Sequence, residues 1–335
     1  MLNTFVANKI KSTYLVTSYV SMNNKELVSI VIPVFNETES IDLLFNEIDI
    51  YYANKKFDFE IIFVNDGSTD NTANIIKNHN QQTYNTKLIN FSKNFGAHAA
   101  VRAGFLHSNG NYITSLPADL QISFDTVEKL LFNALDGYDI VFGVRHANES
   151  GRIEKAFSRS YALMMQKYVN KNFPFKGLET LLFNKKVLKI FNENIESNSS
   201  VFLQALSISK NNKFVDINKI NRKIGKSKWS VSSKIKLLID SFVAFSYAPI
   251  RFVSFVGILF FMIGIFWTIY IVSRKILFND IASGWPALTS ILLLGFGITN
   301  IGLGIIAEYL WRTLDASRKR PVFIIDEIID LKNDN

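Results

Sequence analysis

Two apolar runs near the start of the chain each end in a turn rich in carboxylate and amide side chains. The run at residues 61–64, Ile-Ile-Phe-Val, gives way to Asn-Asp-Gly-Ser, and the run at 28–34 gives way to Phe-Asn-Glu. Short β-branched runs stopped by Asn, Asp and Gly predict buried strands that end in polar turns. Such turns bind ligands at the carboxyl ends of strands in open α/β sheets, where Asp66 would present its carboxylate. Taken alone, the composition is equally typical of a structural turn.

A third polar turn, Pro-Ala-Asp-Leu-Gln at 117–121, has the spacing of a cation site. Residues two apart in an extended segment point the same way, so Asp119 and Gln121 can face one ligand. Mg²⁺ prefers oxygen donors and keeps several waters while it bridges substrate phosphates. One carboxylate and one amide oxygen would therefore suffice beside those phosphates. The alternative is that Asp119 caps a helix or lies in an ordinary loop.

Two basic segments have the residue types that hold phosphate groups. The second of them, Arg-Lys-Ile-Gly-Lys-Ser-Lys-Trp, occupies residues 222–229. Guanidinium forks match phosphate oxygens, a helix start adds backbone donors, and a glycine lets the backbone approach closely. The first segment, residues 145–161, includes Arg145, Arg152, Lys155, Ser158 and Arg159, whose side chains could hold a phosphate. A solvated basic face is the alternative, and it is stronger for Lys155 and Arg159 than for the other two arginines.

Apolar runs and amphipathic segments alternate through the part of the chain that carries these turns, which predicts an α/β domain with helices packed on a sheet. Arg102, in an Ala-rich helix, is expected to be a solvated surface charge. The predicted helices include 38–52, 97–107 and 125–135, and the predicted strands include 87–91, 111–116 and 138–144.

Two motifs resemble those of a known family. They are Ser-Ile-Val-Ile-Pro-Val-Phe-Asn-Glu and Val-Asn-Asp-Gly-Ser-Thr-Asp-Asn-Thr, and their spacing is similar to that in the nucleotide-binding half of the family 2 glycosyltransferases. The segment at 222–229 matches the same family, and the resemblance, which covers residues 27 to about 322, is closest to the bacterial polyprenyl-phosphate glycosyltransferases. It implies a GT-A fold, with a Rossmann-like pocket for the base and ribose of a nucleotide-sugar. The residues that would line this pocket are Pro33, Phe35, Asn36, Glu37 and Asp66.

The resemblance also implies a metal site and an acceptor site. Asp119 would contact the donor and, with Gln121, hold Mg²⁺ or Mn²⁺. The acceptor phosphate would be held by Arg145, Arg152, Ser158, Arg222, Ser227 and Lys228, and the catalytic residues would be Asp119, Arg145, Arg152 and Lys228. The family's usual Asp-Ala-Asp-Leu-Gln has Pro117 in place of its first Asp here, which removes one negative charge. The family's Asp and Phe-Arg pair near 176–180 are also missing, and Glu179 is expected to supply a carboxylate near the sugar.

Apolar residues crowd into the last quarter of the chain. Residues 252–273 and 286–310 each run for roughly the 20 residues that cross a bilayer, with no Lys, Arg or Asp in their middle. A buried helical hairpin is the weaker alternative. The predicted organisation is a flexible N-terminal extension (1–26), a GT-A domain (27–230), an interfacial amphipathic helix (231–250), two transmembrane helices (251–311) and a tail (312–335).

Most of the cations near the two predicted spans precede the first span or follow the second span in the sequence. Arg274 and Lys275 are the only ones between the two spans, whereas Lys234, Lys236 and Arg251 precede the pair and Arg312, Arg318, Lys319 and Arg320 follow it. The positive-inside rule then predicts a multi-pass protein of the bacterial cytoplasmic membrane, with the catalytic domain and tail in the cytoplasm.

The charge and the amino-acid composition restrict the classes of partner and of chemistry that are expected for this protein. The net charge of +8 over 335 residues is spread out and concentrates beside the apolar runs, so it fits anionic lipid or phosphate better than nucleic acid. The chain has no cysteine, which rules out disulfides and thiol chemistry, and its 4 histidines lack ligand spacing. The first 26 residues lack the apolar core of a signal peptide, and either Met1 or Met22 could be the start.

The resemblance, with which these observations agree, implies a membrane-bound inverting glycosyltransferase that moves a sugar from a UDP-, GDP- or dTDP-linked donor to polyprenyl (undecaprenyl) phosphate. The product would be a lipid-linked sugar for a cell-surface glycan. One alternative is a catalytically impaired membrane scaffold of the same fold, which Pro117 motivates. Another is a processive polysaccharide synthase, although its Gln-x-x-Arg-Trp motif is absent. The sugar stays open, and a homo-oligomer is possible.

Overall fold

The computed structural model describes residues 26–55, 57–79, 84–145, 159, 161–167, 170–194, 200–218, 248–278, 284–317 and 321–331. The chain divides into two compact units. The first comprises Met1–Leu163, Asn172–Ser230 and Pro321–Asn335, and the second comprises Met164–Lys171 and Val231–Arg320.

The first unit is built on one mixed sheet, which confirms the predicted α/β class. Among the described residues, eight strands pair in the order β7-β5-β6-β4-β1-β2-β3-β8. All run parallel except β6 and β8, which are antiparallel to their neighbours. Their bounds are β1 Leu27–Val34, β2 Asp58–Asn65, β3 Asn85–Phe91, β4 Tyr112–Ser115, β5 Ile140–Arg145, β6 Leu178–Asn184, β7 Asn212–Ile217 and β8 Ile325–Asp330.

Helices cover the sheet, so its central strands are buried. Most residues of β1 and β2 are inaccessible to solvent, as expected of parallel strands with both faces packed. A Cβ at Gly104 would lie 2.2 Å from Cγ1 of Val31, so this glycine lets a helix approach β1 closely. The helices of the unit are α1 Ile41–Ala53, α2 Thr72–Asn78, α3 Ala97–Leu106, α4 Asp125–Leu135, α5 Lys185–Glu193 and α6 Val201–Ile208.

The second unit contains two long helices, α7 (Ala248–Phe278) and α8 (Trp285–Ser317), which pack against each other. A search of the described residues finds no helix with both the length and the apolar character needed to cross a membrane. The predicted spans 252–273 and 286–310 lie within α7 and α8, and their transmembrane character stays a prediction. Residues 231–247, most of the predicted interfacial helix, lie outside the described residues.

Three strands of the sheet, β6, β7 and β8, were not predicted from the sequence. Within the predicted tail, residues 325–330 form β8, which pairs with β3 at one edge of the sheet. The tail is therefore partly an element of the sheet domain.

Candidate active site

The polar turns meet at one edge of the sheet because of its strand directions. The parallel strands β1 to β5 all end there, and the antiparallel strands β6 and β8 begin there. In open α/β sheets this edge is where ligands bind. The described residues among those predicted to form the site are Pro33, Phe35, Asn36, Glu37, Asp66, Asp119, Gln121 and Arg145.

The turns after β1 and β2 are bonded into one structure. Asn36 has a left-handed φ of 51°, an uncommon conformation for a residue other than glycine. Its backbone N–H donates to Ser68 Oγ at 2.9 Å, and its side-chain oxygen accepts from the Thr69 N–H at 2.8 Å. The side chain of Asn36 therefore braces the second turn, and the pair of turns forms a preorganised wall.

Asp70 joins the same two turns from the solvent side. Its Oδ2 accepts from Thr38 Oγ1 at 2.6 Å, and its Oδ1 accepts from Thr72 Oγ1 at 2.6 Å. Desolvation acts to raise the pKa of Asp70, but the hydrogen bonds from both threonines outweigh it and lower the pKa. Thr72 Oγ1 also accepts from the Glu37 N–H at 2.8 Å. This role of Asp70 was not predicted from the sequence, although an Asp that accepts from the backbone N–H two residues later is typical of an Asx turn.

Asp66 is buried and holds a third turn. Its Oδ1 accepts from the Phe95 N–H at 2.7 Å, and its Oδ2 accepts from the Gly96 N–H at 2.9 Å. Burial raises the pKa of Asp66, and the hydrogen bonds from the two amides offset part of that rise. The carboxylate thus ties the turn after β3 to the turn after β2. Direct contact between Asp66 and a nucleotide stays a prediction.

Gly67 is required by this arrangement. Its φ is +66°, and a Cβ there would lie 2.4 Å from the Lys93 carbonyl carbon and 2.6 Å from the Asn94 nitrogen. Any other residue would push the turn after β3 away. The start of α3 follows that turn, and helix starts in general offer backbone N–H groups to phosphate oxygens.

Arg102 corrects an expectation. It was predicted to be a solvated surface charge, but the structure leaves it 1% exposed, and its Nη2 donates to Gln204 Oε1 at 3.0 Å. One turn earlier, burial and then the charge of Arg102 lower the pKa of His98 to about 4. His98 is therefore neutral at physiological pH. Sequence reasoning erred because Gln204, the covering residue, is 102 positions away.

Asp119 and Gln121 lie in a tight turn after β4, so the extended conformation that the sequence predicted for this segment is wrong. Asp119 Oδ1 accepts from the Gln121 N–H at 3.1 Å, and Leu120 between them is buried with a left-handed φ of 58°. A bulky residue with this φ is strained, and such strain is concentrated at functional sites. No cluster of three or more metal-ligating side chains occurs among the described residues. The donor set fits Mg²⁺ or Mn²⁺ if nucleotide phosphates complete it, because both side chains offer oxygen.

Arg145, at the end of β5, is paired with Glu179 at the start of β6. Arg145 Nε donates to Glu179 Oε1 at 2.6 Å, and its Nη2 also contacts that oxygen. The Arg145 side chain is 44% exposed while that of Glu179 is 14% exposed, so the arginine still faces solvent. Glu179 thus orients a cation predicted to meet the acceptor. Its predicted contact with the sugar stays a prediction.

The remaining predicted residues lie outside the described part of the chain. They are Arg152, Ser158, Arg222, Ser227 and Lys228. Their roles stay predictions from sequence.

The mixed sheet, with bonded turns at the carboxyl ends of its parallel strands, has the GT-A-like fold that the sequence predicted. Comparison with known proteins agrees: the family described as Glycosyl transferase family 2 matches residues 29–191. "Putative glycosyltransferase CsbB" of Bacillus subtilis (strain 168) is 32% identical over 306 residues, covering 90% of this chain and 92% of that protein. The chain belongs to glycosyl transferase family 2, and the predicted enzyme class is confirmed.

Two further similarities are more distant. The undecaprenyl-phosphate 4-deoxy-4-formamido-L-arabinose transferase of Yersinia pestis (strain Pestoides F) is 27% identical over 305 residues, covering 90% of this chain and 93% of that protein. The crystal structure of S. aureus TarS 1–349 in complex with UDP-GlcNAc is 17% identical, with 64% of this chain and 66% of that chain covered and a TM-score of 0.44.

Proposed function

We propose that this enzyme transfers one sugar from a nucleotide-sugar to undecaprenyl phosphate or a related polyprenyl phosphate. The observation that carries the proposal is the similarity to an undecaprenyl-phosphate sugar transferase over 90% of this chain. That similarity extends well beyond the family 2 match at residues 29–191, into the apolar C-terminal region. A lipid acceptor would explain why one chain has both a site suited to a nucleotide and an apolar C-terminal region.

The donor would bind at the edge formed by the first three turns. Pro33, Phe35 and Asn36 would face the base and ribose, with Glu37 and Asp66 completing the pocket. Because Asn36 and Asp66 already brace the turns, nucleotide binding would require little reorganisation, and preorganisation favours affinity. UDP-, GDP- and dTDP-linked sugars all fit this description.

Asp119 and Gln121 would hold Mg²⁺ or Mn²⁺, which when bound would neutralise charge on the leaving nucleoside diphosphate. Pro117 contributes no carboxylate, so Asp119 supplies the negative charge of this pair. The strained turn at Leu120 would fix the direction of the Asp119 side chain.

The reaction would be a direct displacement with inversion. An oxygen of the acceptor phosphate attacks the anomeric carbon while the bond from that carbon to the diphosphate breaks. A phosphate monoester has its second pKa near 6, so the acceptor is largely dianionic at neutral pH and needs no strong base. Arg145, Arg152 and Lys228 would position it, helped by Ser158, Arg222 and Ser227.

The proposal includes a membrane anchor and an orientation. Residues 252–273 and 286–310 would cross the bacterial cytoplasmic membrane, and 231–250 would lie at its interface. The distribution of cations supports a cytoplasmic domain and tail. Strands β7 and β8, which precede and follow the predicted spans in the chain, belong to one sheet, which supports an even number of crossings.

The test is a turnover assay on the purified full-length protein in detergent. It combines undecaprenyl phosphate, Mg²⁺ or Mn²⁺, and a panel of UDP-, GDP- and dTDP-sugars, with the lipid fraction analysed by mass spectrometry. A lipid carrying a single sugar would establish the reaction and name the donor. A polymer would instead favour a processive synthase. Nucleotide binding without any product would favour the scaffold that Pro117 motivates, and Pro117→Asp would then be examined for restored turnover.

A further inference from the structure

The C-terminal strand β8 lies beside two turns of the donor site. Glu327 stands opposite Asn90, and Ile325 opposite Phe91, with a register shift at this point. The Ser92 N–H donates to the Ile324 carbonyl at 3.1 Å. Because β8 is antiparallel to β3, its first residues lie where the turn at 92–96 begins. The strand is therefore placed to hold that turn.

A line of polar side chains connects β8 to the first two turns. Asn90 Nδ2 donates to Glu327 Oε2 at 3.4 Å, and Asn90 Oδ1 accepts from Asn65 Nδ2 at 3.0 Å. Asn65 Oδ1 then accepts from the Ser68 N–H at 3.0 Å, and Ser68 Oγ accepts from the Asn36 N–H at 2.9 Å. Each amide side chain donates to one neighbour and accepts from the other, so the orientation of one sets the orientation of the next.

A line of aromatic rings leads to the third turn. Phe323, just before β8, stacks on Phe91 with ring centroids 5.3 Å apart and planes at 7°. Phe91 meets Phe95 edge to face at 5.6 Å. Phe95 is the residue whose N–H donates to Asp66 at 2.7 Å. Both lines therefore end at groups that shape the donor site.

We propose that β8 is a positioning element for the nucleoside diphosphate part of the donor, and that Glu327 and Phe323 are its positioning residues. The inference rests on the proposed nucleotide site. Neither residue contacts the nucleotide; they hold the turns at 65–69 and 92–96 in the binding conformation. Coupling free energies are reciprocal, so nucleotide binding must also stabilise the pairing of β8 with β3.

The experiment measures the affinity of full-length, detergent-solubilised protein for UDP, GDP and dTDP by calorimetry, using the one that wild type binds. Glu327→Ala should raise the nucleotide Kd about fivefold, which corresponds to about 1 kcal/mol, the net contribution of one ordinary hydrogen bond. Glu327→Gln keeps an acceptor for Asn90 and should stay within about twofold. Asp326→Ala is the matched control, because it removes the same charge from the neighbouring exposed position of the strand.

Hydrogen exchange supplies the reciprocal readout. Nucleotide should slow amide exchange in residues 325–330 of wild type and of Asp326→Ala, and should do so less in Glu327→Ala. Equal nucleotide affinity in Glu327→Ala and Asp326→Ala overturns the proposal, as does equal damage by Glu327→Ala and Glu327→Gln. If Glu327→Ala fails to fold, Phe323→Leu tests the ring line, and an unchanged Kd there overturns the proposal. Failure of wild type to bind any of the three nucleotides contradicts the proposed function instead.

Discussion

Arg145 is paired with Glu179 in the absence of a ligand, and this pairing limits the directions from which its guanidinium group could contact an acceptor. The carboxylate of Glu179 accepts from its Nε and contacts its Nη2, which leaves the rest of the guanidinium fork directed at solvent. A guanidinium presents donors in a rigid plane, so fixing one side of the fork fixes the direction of the other. At the scale of single residues, the site is thus built from side chains held by their neighbours.

Replacing Arg145 tests its assignment to the acceptor. Arg145→Ala should raise the KM for polyprenyl phosphate by about tenfold to a hundredfold, the range for charge-assisted hydrogen bonds, and leave the nucleotide Kd unchanged. Arg145→Lys should be intermediate, because it keeps the charge and loses the fork. Steady-state kinetics with varied lipid and calorimetry with nucleotide give the two readouts. Equal loss of affinity for nucleotide would contradict the acceptor assignment.

His98 predicts a pH dependence of stability. Burial followed by the charge of Arg102 lowers its pKa from 6.5 to about 4, so the unfolded chain binds more protons than the folded one between those values. Stability is therefore lost as pH falls through this window. His98→Gln should shrink the difference in Tm between pH 7.5 and pH 5, measured by thermal melts in detergent. An undiminished difference would show that other groups carry the acid sensitivity.

At the scale of elements, the turn after β2 controls the turn after β3 through a glycine. Gly67→Ala combines a φ of +66° with a Cβ 2.4 Å from the Lys93 backbone. Backbone atoms cannot be moved aside as a flexible side chain can, so the turn held by Asp66 must shift. We expect Gly67→Ala to lower the free energy of unfolding by several kcal/mol, above the roughly 1–2 kcal/mol typical of left-handed strain alone. We also expect it to weaken nucleotide binding at least about tenfold.

Gly137 provides the matched control for that change. Its φ is +97°, and nothing lies within 4 Å of an added Cβ. Gly137→Ala should therefore show the backbone strain without the clash, with nucleotide affinity unchanged. Thermal melts and calorimetry on both variants separate the two effects. Similar nucleotide affinities in the two variants would contradict the coupling of the turns.

Elements with strong local signals were predictable. The continuous apolar runs of β1 and β2 and the helical period of Asp125–Leu135 depend on neighbours in sequence, and the helix has the predicted bounds. Polar turns following such strands were predictable for the same reason. The site edge could therefore be located from sequence, with Asn36, Asp66 and Asp119 at its turns.

Features that depend on distant partners were not predictable. Strand β8 has six residues and belongs to the sheet because β3 offers a free edge, with Glu327 meeting Asn90 across 237 positions. Asp66 could be assigned to the site from the sequence. Its hydrogen bonds from the Phe95 and Gly96 N–H groups could not be predicted, because the fold brings those residues to it. Arg102 likewise became buried because α6 brings Gln204 over it.

At the scale of the whole molecule, the predicted orientation can be tested with cysteine labelling because the chain has no native cysteine. Single substitutions Ser283→Cys, between the predicted spans, and Asn333→Cys, in the tail, supply the probes. A membrane-impermeant maleimide should label Cys at 283 in intact spheroplasts, and should label Cys at 333 only after lysis. Wild type is the blank. If the cysteine at position 333 is labelled in intact spheroplasts as strongly as in lysed samples, the cytoplasmic location of the tail is contradicted.

We propose that the enzyme transfers a sugar to a lipid phosphate at the sheet edge that bears Asp119. The most direct measurement compares wild type, Asp119→Ala and the exposed control Asp125→Ala in the turnover assay with undecaprenyl phosphate, reading the lipid product by mass spectrometry. We predict a lipid bearing one sugar from wild type and Asp125→Ala, and none from Asp119→Ala at saturating metal. Retained turnover in Asp119→Ala would contradict the assigned site, and no lipid product from wild type with any donor would contradict the proposed reaction.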